Sequence, residues 1–290
     1  MEKDLLSIGD LTAAEILEIV ELAKTQTSGI YSDILKEKQL VLIFEKPSLR
    51  TRASFEAGIR ELGGGVTYFS AAENGRLGER ESIPDYAHTL ESYYSAIIAR
   101  VFSHADLKQL AENTKIPVIN ALSDVEHPCQ ILADLVVISN HLKRLENFKL
   151  VFLGDGNNVA FSLALAAKIL GFEFVLVGPK EYFLLDKNIQ QTEDIAVALQ
   201  NADVIYTDTW VSMGDEAEAT ARKKMFQPYQ LNKKNLALAK PEAIVMHCLP
   251  AHRGQEITDE VIDSSQSVVF EQARSRLSAQ KAVMIKLLGK

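Results

Sequence analysis

Short apolar segments alternate with longer amphipathic segments along most of the chain, and this alternation limits the possible folds more than any other feature. The candidate strands are residues 40–44, 65–70, 96–101, 117–121, 150–154, 174–178, 204–208, 243–247 and 268–270. The candidate helices between and after them are residues 12–25, 50–62, 82–93, 127–143, 158–170 and 275–288. Continuous apolar strands separated by helices are typical of parallel sheets that are covered on both faces. The sequence therefore predicts an α/β fold of doubly wound parallel sheets.

The length of the chain indicates more than one domain. At 290 residues it exceeds the size at which a single hydrophobic core usually keeps growing. The segment 140–149, "NHLKRLENFK", is polar and follows a long predicted helix. We therefore expect a first domain at 1–143 and a second at 144–272, joined by interdomain helices. The last helix, about 273–290, is expected to pack back on the first domain.

Composition excludes several classes of protein. The chain is 47% hydrophobic and 24% charged, as in ordinary globular proteins, and it has no apolar run long enough for a transmembrane helix. Its net charge of −8 argues against a general nucleic-acid binder. The first residues, "MEKDLLSIGD", are charged and lack the apolar stretch of a signal peptide. With only Cys129 and Cys248, a disulfide framework is not expected. These features predict a cytoplasmic protein with no membrane or nucleic-acid partner.

Polar residues follow the ends of the predicted strands. In open parallel sheets, ligands bind just beyond the carboxyl ends of the strands. The segments at these positions are "EKPSLRTR" (45–52), Arg100, "HPCQ" (127–130), "GDGNN" (154–158), "DTWVSMG" (208–214) and "HCLPAHRGQE" (247–256). Each has a plain structural explanation by itself, as a helix cap, a turn or a buried strand end. Together they predict a ligand site at one edge of each sheet.

The segment 48–52, "SLRTR", begins a predicted helix directly after an apolar strand. A helix N-terminus carries partial positive charge, so two arginines in the first turn are unfavourable unless an anion lies nearby. The hydroxyls of Ser48 and Thr51, the first N–H groups of the helix and the Arg50 guanidinium could together bind a phosphate. A solvated helix start with incidental arginines is the alternative. No Walker signature is present, so a nucleotide is not indicated.

The glycine-containing segment 154–158 invites comparison with dinucleotide-binding turns, but it lacks two of their features. Val159 stands where the third glycine would be, and the next predicted strand does not end in an acidic residue. Asn157 and Asn158 could cap a helix or bind a polar substrate. A metal site is also not indicated, because the spacing of the candidate ligands matches no zinc module. Those candidates are His127, Cys129, His247, Cys248 and His252. No cofactor or metal is predicted.

Four of these segments together resemble the signatures of the aspartate/ornithine carbamoyltransferase family. Residues 48–52 resemble its Ser-x-Arg-Thr-Arg motif, and residues 127–130 resemble its His-Pro-x-Gln motif. Residues 208–214 are similar to Asp-x-Trp-x-Ser-Met-Gly, and residues 247–250 to His-Cys-Leu-Pro. The resemblance extends over essentially the whole chain. The last two motifs distinguish enzymes that act on ornithine from those that act on aspartate.

This resemblance implies an activity and a set of site residues. The first domain would bind carbamoyl phosphate and the second L-ornithine, and the carbamoyl group would pass to the side-chain amine to give L-citrulline and phosphate. The residues implied for carbamoyl phosphate are Ser48, Leu49, Arg50, Thr51, Arg80, Arg100, His127, Gln130, Cys248, Leu249 and Arg276. Those implied for ornithine are Asn158, Asp208, Ser212 and Met213, and those implied for catalysis are Arg100, His127, Asp208 and Cys248.

The resemblance also implies an assembly. The enzyme would be a homotrimer with active sites between subunits, where Arg80 reaches a neighbouring site. Two alternatives stay open at this point. One is a carbamoyltransferase for another amine, such as putrescine or aspartate, and the other is a binding protein for a phosphorylated ligand that keeps the fold without the chemistry.

Overall fold

The computed structural model describes residues 3–25, 31–211 and 218–289. It divides into two compact units. Unit 1 consists of Met1–Val136 with Arg274–Lys290, and unit 2 consists of Val137–Ala273. Helices α6 (Pro128–Leu142) and α12 (Val269–Leu288) each include residues of both units.

Unit 1 contains a parallel sheet of strands β1 to β4. The strands are β1 (Gln39–Phe44), β2 (Gly65–Ser70), β3 (Ala96–Arg100) and β4 (Val118–Leu122). Its other helices are α1 (Ala13–Thr25), α2 (Leu49–Glu61), α3 (Ala71–Asn74), α4 (Ile83–Glu91) and α5 (His104–Glu112). Helix α1 begins with a capping box, in which Glu15 Oε2 accepts from the Thr12 N–H at 2.9 Å and Thr12 Oγ1 accepts from the Glu15 N–H at 3.3 Å.

The order of the strands in unit 1 indicates where a ligand can bind. The sheet runs β2-β1-β3-β4, with every described pairing parallel. The chain therefore winds outward in opposite directions from β1 and β3. The loops that follow these two strands diverge and leave a crevice at their carboxyl ends. Phe44 pairs with Arg100 at this point, so the "SLRTR" segment and Arg100 follow neighbouring strands.

Unit 2 repeats this arrangement with different residues. Its strands are β5 (Lys149–Leu153), β6 (Glu173–Val177), β7 (Gln190–Thr192), β8 (Val204–Thr207) and β9 (Ile244–His247). Its helices are α7 (Asn158–Leu170), α8 (Ile195–Leu199), α9 (Ala219–Phe226), α10 (Lys233–Leu236) and α11 (Asp259–Ile262). The parallel order β7-β6-β5-β8-β9 reverses direction between β5 and β8. The second crevice therefore follows Leu153 and Thr207.

The fold class is as predicted, but two strand assignments differ, and helices such as α5 and α9 were not predicted. The expected strand 268–270 is wrong, because Val269 begins the long helix α12. Val269 is buried while Phe270 is 64% exposed, which is the amphipathic pattern of a helix start. Strand β7 was not predicted, since its residues "QQT" give no apolar signal. Among the described residues, no helix has the length and apolar character needed to cross a membrane.

Candidate active site

The N-terminus of α2 lies at the crevice of unit 1. Ser48 is the cap, and its Oγ accepts from the Thr51 N–H at 3.3 Å. The first N–H groups of a helix have no partner within the helix, so this end can bind an anion. Leu49 is 79% exposed, and Arg50 is half-buried. The helix start is therefore open to a ligand, as the phosphate hypothesis requires.

The second arginine of "SLRTR" has a different environment from the one expected. Arg52 Nε donates to Glu56 Oε1 at 2.7 Å, one turn along the helix, and its guanidinium lies 3.7 Å from the centre of the Tyr68 ring. Its charge is therefore compensated by protein groups. The idea that both arginines require a bound anion is wrong for Arg52, which leaves Arg50 as the arginine available at this helix start.

Arg276 connects the helix start with the "HPCQ" segment. It is 4% exposed, and its Nη2 donates to Thr51 Oγ1 at 2.9 Å while its Nη1 donates to Gln130 Oε1 at 2.6 Å. Gln130 Nε2 donates in turn to Asp134 Oδ1 at 2.8 Å. Residues that are 225 and 146 positions from Arg276 in the sequence thus share one buried guanidinium.

Arg100 and His127 add to this cluster. Arg100 ends β3 and is 5% exposed, and His127 precedes α6 and is also 5% exposed. Burial lowers the pKa of His127 well below its ordinary value, and the positive charges of Arg276 and Arg100 lower it further. His127 is therefore neutral at physiological pH and can donate one ring N–H. Two cations and a neutral donor suit an oxygen that becomes negative during a reaction.

Arg80 does not take part in the contacts described for Arg100, His127 and Arg276, and its side chain is exposed. It lines a cavity of about 500 Å³ together with Arg76, Glu81 and Tyr86. No described contact joins Arg80 to Arg100, His127 or Arg276. Its expected role at a neighbouring subunit stays a prediction.

A carboxylate is the centre of the polar cluster in unit 2. Asp208 follows β8 and is 9% exposed. Its Oδ2 accepts from Asn157 Nδ2 at 2.9 Å, and its Oδ1 accepts from the Thr209 N–H at 2.7 Å and from Cys248 Sγ at 3.0 Å. Residues that follow three neighbouring strands, β5, β8 and β9, therefore converge on one carboxylate. Such a group suits an ammonium or amine ligand.

Asn157 caps a helix, which is one of the two roles left open for the "GDGNN" segment. Its Oδ1 accepts from the N–H groups of Val159 and Ala160 at 3.0 and 3.1 Å, which caps α7. Its amide N–H₂ orients Asp208 at the same time. Asn158 is the first residue of α7 and is half-buried. Asn157 was expected to cap a helix or bind a polar substrate, and its contact with Asp208 was not predicted.

The segment after β9 is held by a buried pair. His247 Nε2 lies 3.0 Å from Glu256 Oε1, and its Nδ1 accepts from the Leu249 N–H at 2.9 Å. The accepting Nδ1 places the ring proton on Nε2, so His247 donates to Glu256. Leu249 has a φ of +58°, a backbone conformation that is unfavourable for leucine. These contacts fix the direction in which Cys248 presents its thiol to Asp208.

A buried ion pair supports the edge near β5. Arg222 forms a hydrogen-bonded ion pair with Asp155, and its Nε donates to the Trp210 carbonyl at 2.8 Å. Its guanidinium lies 4.5 Å from the centre of the Tyr182 ring. Sequence reasoning did not find Arg222, because its partner is 67 residues away and no spacing rule joins them.

Asp208, His247 and Cys248 are the described residues that could hold a metal, with donor atoms within 4.8 Å of one another. Both ring nitrogens of His247 already have partners, and a metal would have to displace a buried hydrogen bond. Asp208 was expected to bind ornithine and Cys248 to take part in catalysis, and both roles stay predictions. Ser212 and Met213, which were also expected here, lie outside the described residues.

Taken by themselves, the two clusters are typical of an α/β enzyme with one subsite for an anion and another for an amine. Comparison with known proteins is consistent with this class. The aspartate/ornithine carbamoyltransferase carbamoyl-P binding domain matches residues 3–140, and the Asp/Orn binding domain of the same family matches residues 146–287. The chain belongs to the aspartate/ornithine carbamoyltransferase family, which confirms the resemblance seen in the sequence.

Individual relatives agree with the family match. The ornithine carbamoyltransferase of Methanosarcina mazei is 48% identical, over 99% of this chain and 100% of its own. The anabolic ornithine carbamoyltransferase of Pyrococcus furiosus is 46% identical, over 99% of this chain and 96% of its own. A solved structure of ornithine carbamoyltransferase from Thermus thermophilus superposes with a TM-score of 0.91 at 38% identity and covers 99% of both chains.

Proposed function

We propose that this chain transfers the carbamoyl group of carbamoyl phosphate to the side-chain amine of L-ornithine, giving L-citrulline and phosphate. The observation that carries the proposal is the buried cluster of Arg100, Arg276 and neutral His127 beside the N-terminus of α2. The family match and the names of the relatives support the same reaction.

Carbamoyl phosphate is a dianion with a reactive carbonyl group. Its phosphate would bind the first N–H groups of α2, the hydroxyls of Ser48 and Thr51, and the guanidinium of Arg50. The carbonyl oxygen would accept hydrogen bonds from Arg100 and from the N–H of His127. Since His127 is neutral, it polarises the carbonyl without giving up a proton to it.

Ornithine would bind in unit 2. Its side-chain nitrogen must be deprotonated to act as a nucleophile, and a free alkylammonium has a pKa near 10. Asp208 would accept a hydrogen bond from this nitrogen and hold it beside Cys248. Asn158 would bind the α-amino and carboxylate end of the substrate. Ser212 and Met213 are expected to do the same.

The reaction then needs positioning and charge stabilisation. The amine nitrogen forms a bond to the carbonyl carbon, and negative charge grows on the oxygen held by Arg100 and His127. When the tetrahedral intermediate collapses, the bond from carbon to the phosphate oxygen breaks. The attacking nitrogen loses a proton, and the departing phosphate carries this proton away.

The direct test is an assay with three amines. Ornithine, putrescine and aspartate are supplied at equal concentration with carbamoyl phosphate, and the products are separated by chromatography. We expect citrulline as the main product, because putrescine lacks the α-carboxylate and leaves polar groups of the site without partners. Carbamoyl-putrescine or carbamoyl-aspartate as the main product would show that the chain is a carbamoyltransferase for that amine instead. Absence of any carbamoylated amine would support a binding protein.

We further propose a homotrimer in the cytoplasm with active sites shared between subunits. The exposure of Arg80 on unit 1 is consistent with a role toward a second copy. Mixing the inactive variants Arg80→Ala and Arg276→Ala tests this. If the two residues serve one shared site, hybrid trimers contain intact sites and recover activity. No recovery in trimers shown to be hybrid contradicts the shared site.

A further inference from the structure

The amide of Gln130 is held on both sides. Arg276 Nη1 donates to its Oε1 at 2.6 Å, and its Nε2 donates to Asp134 Oδ1 at 2.8 Å. Gln130 is 1% exposed and Asp134 is fully buried, one turn further along α6. The side chain therefore cannot turn into solvent.

The partners of Gln130 determine the positions of its amide oxygen and amide nitrogen. A guanidinium only donates hydrogen bonds, so the atom facing Arg276 must be the oxygen. The amide nitrogen then faces Asp134, whose carboxylate accepts from it. The reversed amide would set N–H groups against the guanidinium and an oxygen against the carboxylate. Asp134 and Arg276 thus impose the same orientation from opposite sides.

This orientation has a chemical consequence. A carbonyl oxygen has two lone pairs, so Gln130 Oε1 can accept a second hydrogen bond beside the one from Arg276. The NH₂ of a carbamoyl group can donate that bond, whereas the methyl of an acetyl group of nearly the same shape cannot. An acyl phosphate without an N–H would leave the buried oxygen with one bond fewer.

We propose that Asp134 is a positioning residue that keeps the Gln130 oxygen facing the carbamoyl NH₂ and thereby selects carbamoyl over acetyl phosphates. This inference rests on the proposed function. Arg276 is also placed to bind the ligand, since it contacts Thr51 at the phosphate end of the site. When the ligand competes for this guanidinium, Asp134 still fixes the amide. Asp134 has no proposed contact with the substrate and acts through Gln130.

Two stable probes that differ in one group test the proposal. Phosphonoacetamide carries the carbamoyl NH₂, and 2-oxopropylphosphonate has a methyl in its place. Calorimetry of the wild-type protein should show the amide binding roughly 10- to 100-fold tighter than the ketone, as one buried hydrogen bond provides. In Asp134→Asn the residue can present either end of its own amide, so this ratio should fall below about 5-fold. The affinity for the ketone should stay within about twofold of wild type.

Glu126→Gln is a matched control, because Glu126 is another buried carboxylate of unit 1 and accepts from the Ile8 N–H at 3.0 Å. It should keep the wild-type ratio. Asp134→Ser, a smaller neutral replacement, carries the same test if Asp134→Asn does not fold. An unchanged ratio, or an equal loss of affinity for both probes, overturns the proposal and makes Asp134 structural. Failure of the wild-type protein to bind either probe overturns the proposed function instead.

Discussion

The polar clusters of the two units occupy the same position in similar sheets and have opposite charge. In unit 1, Arg100 and Arg276 surround a neutral histidine. In unit 2, Asn157 and Cys248 donate to the carboxylate of Asp208. Arg100 ends β3 and Asp208 follows β8, and the winding of each sheet reverses at these strands. The comparison teaches that the topology decides where a ligand binds, while the few side chains after the strands decide its charge.

Removing the guanidinium of Arg276 should give the largest effect. Arg276→Met takes a cation from the site and leaves Gln130 Oε1 and Thr51 Oγ1 without their buried donor. We expect kcat/KM for carbamoyl phosphate to fall by about 10³, equivalent to roughly 4 kcal/mol. Steady-state kinetics measure this. The matched control is Arg274→Met, an exposed arginine of the same helix, which should stay near wild type. More than a tenth of the activity in Arg276→Met would contradict the cationic role.

Removing the charge of Asp208 in unit 2 tests whether this charge affects ornithine alone or also the ligand of unit 1. Asp208→Asn keeps the size of the side chain and removes the charge. We expect kcat/KM for ornithine to fall by about 10², roughly 3 kcal/mol. Binding of phosphonoacetamide, measured by calorimetry, should be unchanged. Asp203→Asn is the control, since Asp203 lies at the other end of β8 and pairs with Lys240. Equal weakening of the phosphonate would show that the two charges do not have separate roles.

A smaller effect is expected from disrupting the His247–Glu256 pair, which holds the segment that carries Cys248. In Glu256→Gln, the new amide can donate to His247 Nε2 and favour the other ring tautomer, which removes the acceptor for the Leu249 N–H. We expect about a 10-fold loss in kcat/KM for ornithine. Alkylation of Cys248 by iodoacetamide should become faster as its contact with Asp208 loosens. The exposed Glu260→Gln provides the comparison. Wild-type alkylation and kinetics would show that Glu256 does not position this segment.

The smallest effect concerns pH and unit 1. The pKa of His127 is lowered in the folded protein, so the unfolded chain binds a proton at a higher pH than the folded chain does. Stability is therefore fully present above the ordinary pKa of 6.5 and decreases as the pH falls below it. Urea unfolding should show up to about 1.4 kcal/mol less stability per pH unit from this residue. His127→Asn should have a shallower dependence than wild type, and an identical slope would exclude the effect.

Much of the fold follows from local patterns. Strands such as β1 and β5 are mostly continuous apolar runs, and Ser48 and Asn157 cap α2 and α7 from the position before each helix. The three apolar residues 268–270 did not distinguish a strand from a helix start, since only their burial separates the two. Polar β7 gave no signal, because its register with β6 comes from tertiary pairing.

The candidate site also contains residues that could be predicted from the sequence and residues that could not. Residues directly after strands, such as Arg100 and Asp208, could be predicted because the topology of parallel sheets places ligands there. Asp134, Arg222 and Glu256 could not, since each acts through a partner whose proximity exists only in the folded chain. The substrate roles assigned to individual residues stay predictions until the variants are measured.

In its proposed role, Arg276 also limits when the protein can become active during its synthesis. Its hydrogen bond to Thr51 spans 225 residues, and the whole of unit 2 is encoded between them. At about 5–20 residues per second, Thr51 leaves the ribosome roughly 10 to 45 s before Arg276 does. Unit 2 is contiguous in sequence and can fold in that interval, whereas unit 1 must wait with an incomplete anion site. A nascent chain that ends before Arg276 could therefore fold its second unit while still lacking a complete site for carbamoyl phosphate.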